Sequence, residues 1–376
     1  MSEKIIKRTI QDRIENNLFK GKIIIIYGAR RVGKTTLVKE IQNKYKNDAN
    51  YFNCDEKDVR KALTDKTSTE LKAFLGDKKL IIIDEAQRVK NIGLTLKLIV
   101  DNFPFLQIIA TGSSSFDLSN EIKEPLTGRK YEFYLYPISV KELKAVYSDL
   151  EINRLLERTI IFGMYPEIVR NNGNISILKE IASSYLYKDV LQYQNIKDHE
   201  ILDKLLQALA LQIGNEVSYN ELANTVGIDK NTVSNYIQIL EKAFVIFRLR
   251  PFSRNLRTEL KKLRKIYFYD TGIRNALINN FNMLDLRQDA GVLWENFMIS
   301  ERVKYNNNNG ENKNIYFWRT HTQKEIDYLE EFGGKLRGYE FKLNKDKFKK
   351  PKEFLEAYEN SKLEVVNREN YLEFLS

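Results

Sequence analysis

Between Ile23 and Leu37 the chain commits itself to one local fold. Ile23-Ile24-Ile25-Ile26-Tyr27 is an apolar, mostly β-branched run of strand length. Gly28-Ala29-Arg30-Arg31-Val32-Gly33 is a turn closed at both ends by glycine, and Lys34-Thr35-Thr36-Leu37 opens a helical pattern. A buried strand, a glycine-bracketed turn and a helix in that order make a phosphate-binding loop. Gly28 and Gly33 let the backbone curl until the N–H groups of Ala29, Arg30, Arg31, Val32, Gly33 and on to Thr36 point at the β- and γ-phosphates of a nucleotide. Lys34 adds a point charge, Thr35 offers a hydroxyl to Mg²⁺, and the helix turns its positive end to the phosphates.

A chain of 376 residues is too long for one ordinary core and divides into two to four units. With 43% hydrophobic and 30% charged residues it has the composition of a globular protein with ample apolar surface to bury. No apolar run approaches membrane-spanning length, and Met1-Ser2-Glu3-Lys4 lacks a signal core, so a cytoplasmic location without membrane contact is expected. Cys54 stands alone, and only His199 and His321 carry imidazole. That excludes an internal disulfide and a cysteine-based zinc site, and leaves carboxylate chemistry, which suits Mg²⁺ or Mn²⁺. The net charge of +10 is compatible with a nucleic-acid partner but does not by itself identify one.

The loop needs an acid to hold its metal. Lys79-Leu80-Ile81-Ile82-Ile83-Asp84-Glu85-Ala86-Gln87 delivers two carboxylates to the end of a run so apolar that both of its faces must be covered, as in a parallel sheet. Asp84 is expected to orient Mg²⁺ and its waters, and Glu85 to act as the base on the attacking water, in hydrolysis of ATP. A further buried strand, Phe105 to Ala110, ends in Thr111-Gly112-Ser113, where the hydroxyl of Ser113 stands at the position of a γ-phosphate sensor or simply forms a turn. Pro125-Leu126-Thr127-Gly128-Arg129 places an arginine before the strand Tyr131 to Leu135. Arg129 either caps local carbonyls or serves as a catalytic cation reaching the nucleotide of a neighbouring subunit in a homo-oligomer.

In combination these motifs resemble a known family. Gly-Ala-Arg-Arg-Val-Gly-Lys-Thr-Thr, Ile-Asp-Glu-Ala-Gln, Thr-Gly-Ser-Ser, Leu-Thr-Gly-Arg, Tyr-Pro-Ile-Ser and Gly163-Met164-Tyr165-Pro166-Glu167 are similar to those of the prokaryotic AAA+ proteins known only as archaeal and bacterial ATPases. Tyr269-Asp270-Thr271-Gly272-Ile273, Leu293-Trp294-Glu295-Asn296-Phe297 and Tyr316-Phe317-Trp318-Arg319-Thr320 resemble the C-terminal domain of unknown function that accompanies this ATPase. The resemblance implies an AAA+ core with an α-helical lid, in which the segment Gly163 to Pro166 lies near the nucleotide, with Pro166 among its contacts. The chain departs from many AAA+ proteins in ending its sensor strand with Thr111 and Ser113 rather than asparagine.

A different module follows residue 200. Ile201 to Ile213 has helical period, Ser218 with Glu221 marks a helix start, Val226-Gly227-Ile228 makes a turn, and Asp229 to Leu240 forms a second helix with Val233, Tyr236, Ile237 and Leu240 inward. Lys230, Asn231, Ser234, Asn235 and Gln238 are left outward, as on a DNA-recognition helix. The next stretch carries Arg248, Arg250, Arg254, Arg257, Lys261, Lys262, Arg264 and Lys265 against Glu259 alone, and reads as a basic wing beside that helix. Packing or oligomer contacts are the competing use of such a module.

In the last unit, the alternation of a strand puts Glu340 and Lys342 on one face, with Asp327 on a neighbouring strand and Glu295 in a helix opened near Gly291. Asp327 and Glu340 would hold Mg²⁺ or Mn²⁺ with Lys342 beside an attacking water, the equipment of phosphodiester hydrolysis. The order resembles the PD-(D/E)xK nuclease fold, with Glu295 as its helical acid. The Asn306 to Asn309 run reads as a polar loop.

The expected fold is therefore multidomain α/β. An AAA+ P-loop NTPase core with a parallel sheet occupies residues 1–145, a helical lid 146–200, a winged helix-turn-helix 201–264 and a restriction-endonuclease-like α/β domain 265–376. The expected function is ATP hydrolysis coupled to DNA. The alternative is a nucleotide-gated switch that binds another protein and carries an inert nuclease-like scaffold.

Overall fold

The computed structural model describes residues 6–113, 122, 124–185, 199–253, 264–320, 322, 324–344 and 351–375. Arg254, Arg257, Lys261, Lys262 and His321 lie outside them. The chain forms two compact units, one of Lys7–Pro137 with Lys242–Phe244, the other of Ile138–Glu241 with Val245–Ser376.

The first unit is built on five parallel strands, β1 (Ile23–Tyr27), β2 (Ala49–Asn53), β3 (Leu80–Asp84), β4 (Gln107–Gly112) and β5 (Lys130–Tyr134). They lie in the order β2-β3-β4-β1-β5. Every residue of β1, β3 and β4 is buried, which is why these segments read as unbroken apolar runs. The edge strands β2 and β5 are half-buried. Parallel neighbours need crossovers, and the helices Lys34–Tyr45 and Ile92–Asn102 bury Leu37, Val38 and Ile41, and Leu96, Ile99 and Val100. The parallel sheet is compatible with a P-loop NTPase core. Among the described residues ahead of β1, Ile10–Glu15 is helical and is followed by turns.

In the second unit the segment from 138 to 185 is helical, with helices Val140–Leu143, Asp149–Phe162, Pro166–Arg170 and Ile175–Tyr185. Ser139 and Ser148 open the first two with full capping boxes. The helices His199–Leu211, Tyr219–Val226 and Lys230–Lys242 follow, with Gly227 in the left-handed conformation at the turn between the last two. A seven-stranded mixed sheet completes the unit. It comprises β6 (Glu216–Val217), β7 (Ile246–Pro251), β8 (Arg264–Phe268), β9 (Asn314–Arg319), β10 (Glu325–Phe332), β11 (Lys335–Phe341) and β12 (Ser361–Val366), in the order β12-β11-β10-β9-β7-β8-β6. The hairpin β7/β8 is antiparallel, and β7 pairs in parallel with β9, so this sheet runs without a break across residue 264.

The helix Ala290–Asn309 packs against β8 and β11. It corrects the reading of Asn306 to Asn309 as a loop. The run is the last helical turn, closed by Gly310 at φ 73°, and buried Asn306 donates to Glu330 Oε1 at 2.6 Å. Tertiary hydrogen bonding overrides the modest helix propensity of asparagine.

Candidate functional site

The phosphate loop joins the end of β1 to the helix Lys34–Tyr45. Gly28 must be glycine, because a Cβ there would stand 2.3 Å from the backbone oxygen of Leu135. Arg31 and Gly33 take positive φ, at 63° and 98°, which folds the loop back over its own start. Lys34 is buried and donates to the carbonyls of Gly28 at 2.8 Å and Ala29 at 3.0 Å. Phosphate oxygens are stronger acceptors for an ammonium than amide carbonyls are, so a phosphate brought to this loop would compete for Lys34 with the carbonyls of Gly28 and Ala29.

Asp84, 2% exposed at the end of β3, is the hub of the site. Its Oδ2 accepts from the hydroxyls of Thr35 at 2.7 Å and Tyr51 at 2.6 Å, and its Oδ1 accepts from Thr111. Thr111 in turn accepts from the backbone N–H of Glu85 at 3.1 Å. Glu85 sits at φ 54°, and Gln87 Nε2 donates both to its Oε2 at 2.6 Å and to Ser113 Oγ at 3.0 Å. The loop, Asp84, Glu85 and Ser113 are thus linked at the carboxyl ends of adjacent strands, where open α/β sheets bind ligands. The hydroxyl of Thr35 and the carboxylate of Asp84, bonded to one another, are the hard oxygen set that Mg²⁺ prefers.

Several members of this constellation carry no local signal. Tyr51 reads as one more strand residue. Arg8, buried and well before the loop, donates to the carbonyls of Val32 at 2.7 Å and Tyr136 at 2.5 Å. Cys54 is buried too, and burial pushes its thiol up to about 12, away from the thiolate form.

Arg129 stands at the opposite end of the strands from the loop. Its carbonyl accepts from Ile23 N at the start of β1, and its Nε pairs with Asp101 Oδ1 at 2.7 Å on the surface. One strand length, roughly 15 Å for five residues, separates that end from the loop in the same chain. Pro166 opens the helix Pro166–Arg170 in the second unit, and its assignment to the nucleotide rests on the resemblance. There the two motifs Gly163-Met164 and Asp270-Thr271-Gly272 meet: Asp270 Oδ2 accepts from Met164 N at 2.7 Å, and its Oδ1 caps the helix Thr271–Leu277 through Ile273 N. Burial raises the carboxyl pKa of Asp270.

The helix Lys230–Lys242 leaves Lys230, Asn231, Asn235 and Gln238 exposed and Ser234 half-exposed, while Val233, Tyr236, Ile237 and Leu240 are buried. Of the basic residues after it, Arg250 is exposed. Arg248 is engaged, with Nε on Glu241 Oε1 at 2.7 Å and Nη1 on Tyr219 at 3.0 Å. Lys265 is not a surface cation: it is 2% exposed and pairs with Glu295 at 3.4 Å and with Glu325.

Lys265 thereby enters the acidic centre of the C-terminal region. Tyr267, two residues on along β8, donates to Glu295 Oε1 at 2.5 Å. Lys342 Nζ lies 2.9 Å from Glu340 Oε1, and Asp327 Oδ2 accepts from Phe341 N at 2.9 Å. The pairing register shifts between Ile326 and Leu329, an irregularity of the kind that re-aims a side chain such as that of Asp327. Burial, then the charges of Glu295 and Glu340, push the carboxyl of Asp327 well above its ordinary range. Burial also raises Glu340, against the opposing ammonium of Lys342. Glu340 Oε2 is buried and, among the described residues, accepts no hydrogen bond. Among the described residues no group of three or more His, Cys, Asp or Glu side chains is arranged to hold a metal ion, and no helix is long and apolar enough to cross a membrane.

The parallel sheet and the loop are compatible with a P-loop NTPase core, and the comparisons with known proteins give the class, that of an AAA-type ATPase. Residues 20–144 match the AAA domain, residues 153–284 a domain of unknown function (DUF8612), and residues 290–373 another (DUF4143). Uncharacterized protein MJ1544 of Methanocaldococcus jannaschii is 30% identical over 329 residues, 79% of this chain and 74% of that protein. Uncharacterized protein Rv2008c of Mycobacterium tuberculosis is 26% identical over 342 residues, 89% of this chain and 74% of that one. The chain belongs with these relatives to a prokaryotic AAA-type ATPase family, and its AAA domain implies ATP binding. Among solved structures, a chain from "Structure of Drosophila ORC bound to AT-rich DNA and Cdc6" aligns at 9% identity over 72% of this chain and 92% of that one. The TM-score is 0.25, too low to bear on fold or function.

Proposed function

We propose that the chain is an Mg²⁺-dependent ATPase whose turnover is coupled to DNA. The observation that carries the reading is the linked set Thr35, Asp84, Thr111 and Glu85 beside a loop in which Lys34 already faces inward. In it the loop amides and Lys34 bind the β- and γ-phosphates, Thr35 and Asp84 hold the cation, and Glu85 takes a proton from the attacking water. Mg²⁺ supplies charge neutralisation to the phosphates. Ser113 reports on the γ-phosphate through Gln87, and Arg129 serves the site of a neighbouring copy. DNA is met by Lys230, Asn231, Ser234, Asn235 and Arg250, with Arg254 and Arg257 following in sequence. For the C-terminal centre, the unpartnered Glu340 Oε2 favours a divalent ion shared with Asp327, since Mg²⁺ is commonly held by one or two carboxylates and water.

A second reading, a nucleotide-gated switch that binds a protein, is favoured by the occupied state of Arg248 and Lys265, which removes two cations from the DNA face. Phosphate release separates the two, measured on wild-type, Lys34→Ala and Glu85→Gln chains with no DNA and with duplex, single-stranded or branched DNA. The expected outcome is loss of ATP binding in Lys34→Ala, retained binding with turnover reduced by at least ~100-fold in Glu85→Gln, and stimulation of the wild type by DNA. Turnover indifferent to every DNA selects the switch, and parental turnover in Glu85→Gln removes the base assignment.

A further inference from the structure

The roles above account for two of the three hydroxyls on Asp84, since Thr35 belongs to the loop and Thr111 to the sensor strand. Tyr51 is unaccounted for. It lies on β2 opposite Ile82, while Asn53 lies opposite Asp84, so Tyr51 and Asp84 are diagonal neighbours on one face of a parallel pair. A diagonal of this kind is within reach of a long aromatic side chain. Its hydroxyl donates to Oδ2 at 2.6 Å, the same oxygen that accepts from Thr35 at 2.7 Å. The ring is held in turn by Lys39, whose Nζ lies 5.2 Å from its centroid.

We propose that Tyr51 is a positioning residue for the metal-bearing acid, its hydroxyl keeping Asp84 Oδ2 turned to Thr35 and so setting the Mg²⁺ concentration at which the site takes up nucleotide. The inference rests on the ATPase reading of this site. Partners of a ligating carboxylate fix its orientation, and their removal costs about 10- to 100-fold in metal affinity.

Tyr51→Phe tests it, because phenylalanine keeps the ring and its contact with Lys39 and removes the hydroxyl alone. Binding of a fluorescent ATP analogue is titrated against Mg²⁺ with wild-type, Tyr51→Phe and Lys34→Ala full-length chains. Tyr51→Phe should need about ten-fold more Mg²⁺ for half-maximal binding, with unchanged affinity in EDTA and an unchanged thermal midpoint. An unshifted Mg²⁺ dependence, or an equal loss of binding with and without Mg²⁺, overturns the role of Tyr51 and leaves the ATPase reading standing. A wild-type chain that binds the analogue no better than Lys34→Ala overturns both.

Discussion

Gly28 shows how little room the nucleotide loop has. The space a Cβ needs is taken by the carbonyl of Leu135, 2.3 Å away, and a backbone oxygen in a strand exit cannot swing aside as a side chain can. Gly28→Ala should therefore destabilise the first unit by about 2 kcal/mol and weaken nucleotide binding, read by urea unfolding and by ligand titration. Unfolding unchanged within error would mean that the loop relaxes freely. Glu85 depends on its surroundings in a different way. Its left-handed backbone is held by the Thr111 hydroxyl and its carboxylate by Gln87. Gln87→Leu should lower kcat by about ten-fold while KM for ATP holds, since a base held within hydrogen-bond reach is worth about 10²- to 10⁴-fold and looser holding forfeits part of that. A change in KM alone would place Gln87 in binding instead.

Among the elements, the helix Thr271–Leu277 is fastened by a charge cluster that predicts its own pH dependence. Arg274, 2% exposed, and Arg287 both pair with Asp289, at 2.5 and 2.8 Å. Burial raises the carboxyl, but the bonds from Arg287 and Arg274 outweigh it and hold Asp289 down at about 2. The unfolded value is about 3.9, so the folded state binds the proton less well. The stabilisation is complete above about pH 4 and is lost as pH falls through about 2. Asp289→Asn should cost about 3 kcal/mol at neutral pH, because it strands buried arginines, and should flatten the acid limb of a stability-against-pH curve. An unaltered acid limb would assign that limb to other carboxylates. The hairpin β7/β8 makes the companion case: Arg248, tied to Glu241 and Tyr219, is a fastening of the hairpin to the helices Lys230–Lys242 and Tyr219–Val226.

For the molecule as a whole, DNA binding and assembly are the open properties, and each has a separable signature. If the exposed cations meet phosphate, replacing Lys230 and Arg250 by alanine should weaken binding to all sequences and lower the salt slope by about 0.9 for each phosphate no longer neutralised. Arg248→Ala should lower stability and leave that slope alone. Equal slopes in all three proteins would count against the DNA reading. Arg129 lies a strand length from its own loop, so the catalytic role proposed for it would need a second copy. Mixing Arg129→Ala with Lys34→Ala should then restore part of the ATPase activity that each lacks. Mixed oligomers as inactive as their components would return Arg129 to its surface pair with Asp101.

The sequence by itself determined the phosphate loop, because every group it needs lies within one strand, one turn and one helix start. It placed Asp84 and Glu85 at the end of a buried strand for a related reason, since a strand covered on both faces is as apolar as Leu80 to Ile83. The exposed face of the helix Lys230–Lys242 was equally legible from its 3.6-residue period. Tertiary structure decided what rests on contacts between distant segments. It brought Tyr51 to Asp84 and Arg8 to Val32, and took Lys265 out of a basic surface run to bury it beside Glu295 and Glu325. It wound the asparagine run into a helix through Asn306 and Glu330, and joined β7 to β9 in one sheet. The physical reason is that local periodicity records which face of an element is covered, whereas the partner of a buried hydroxyl or charge is fixed only by strand order and register, which place side chains far apart in sequence within a few ångströms of one another.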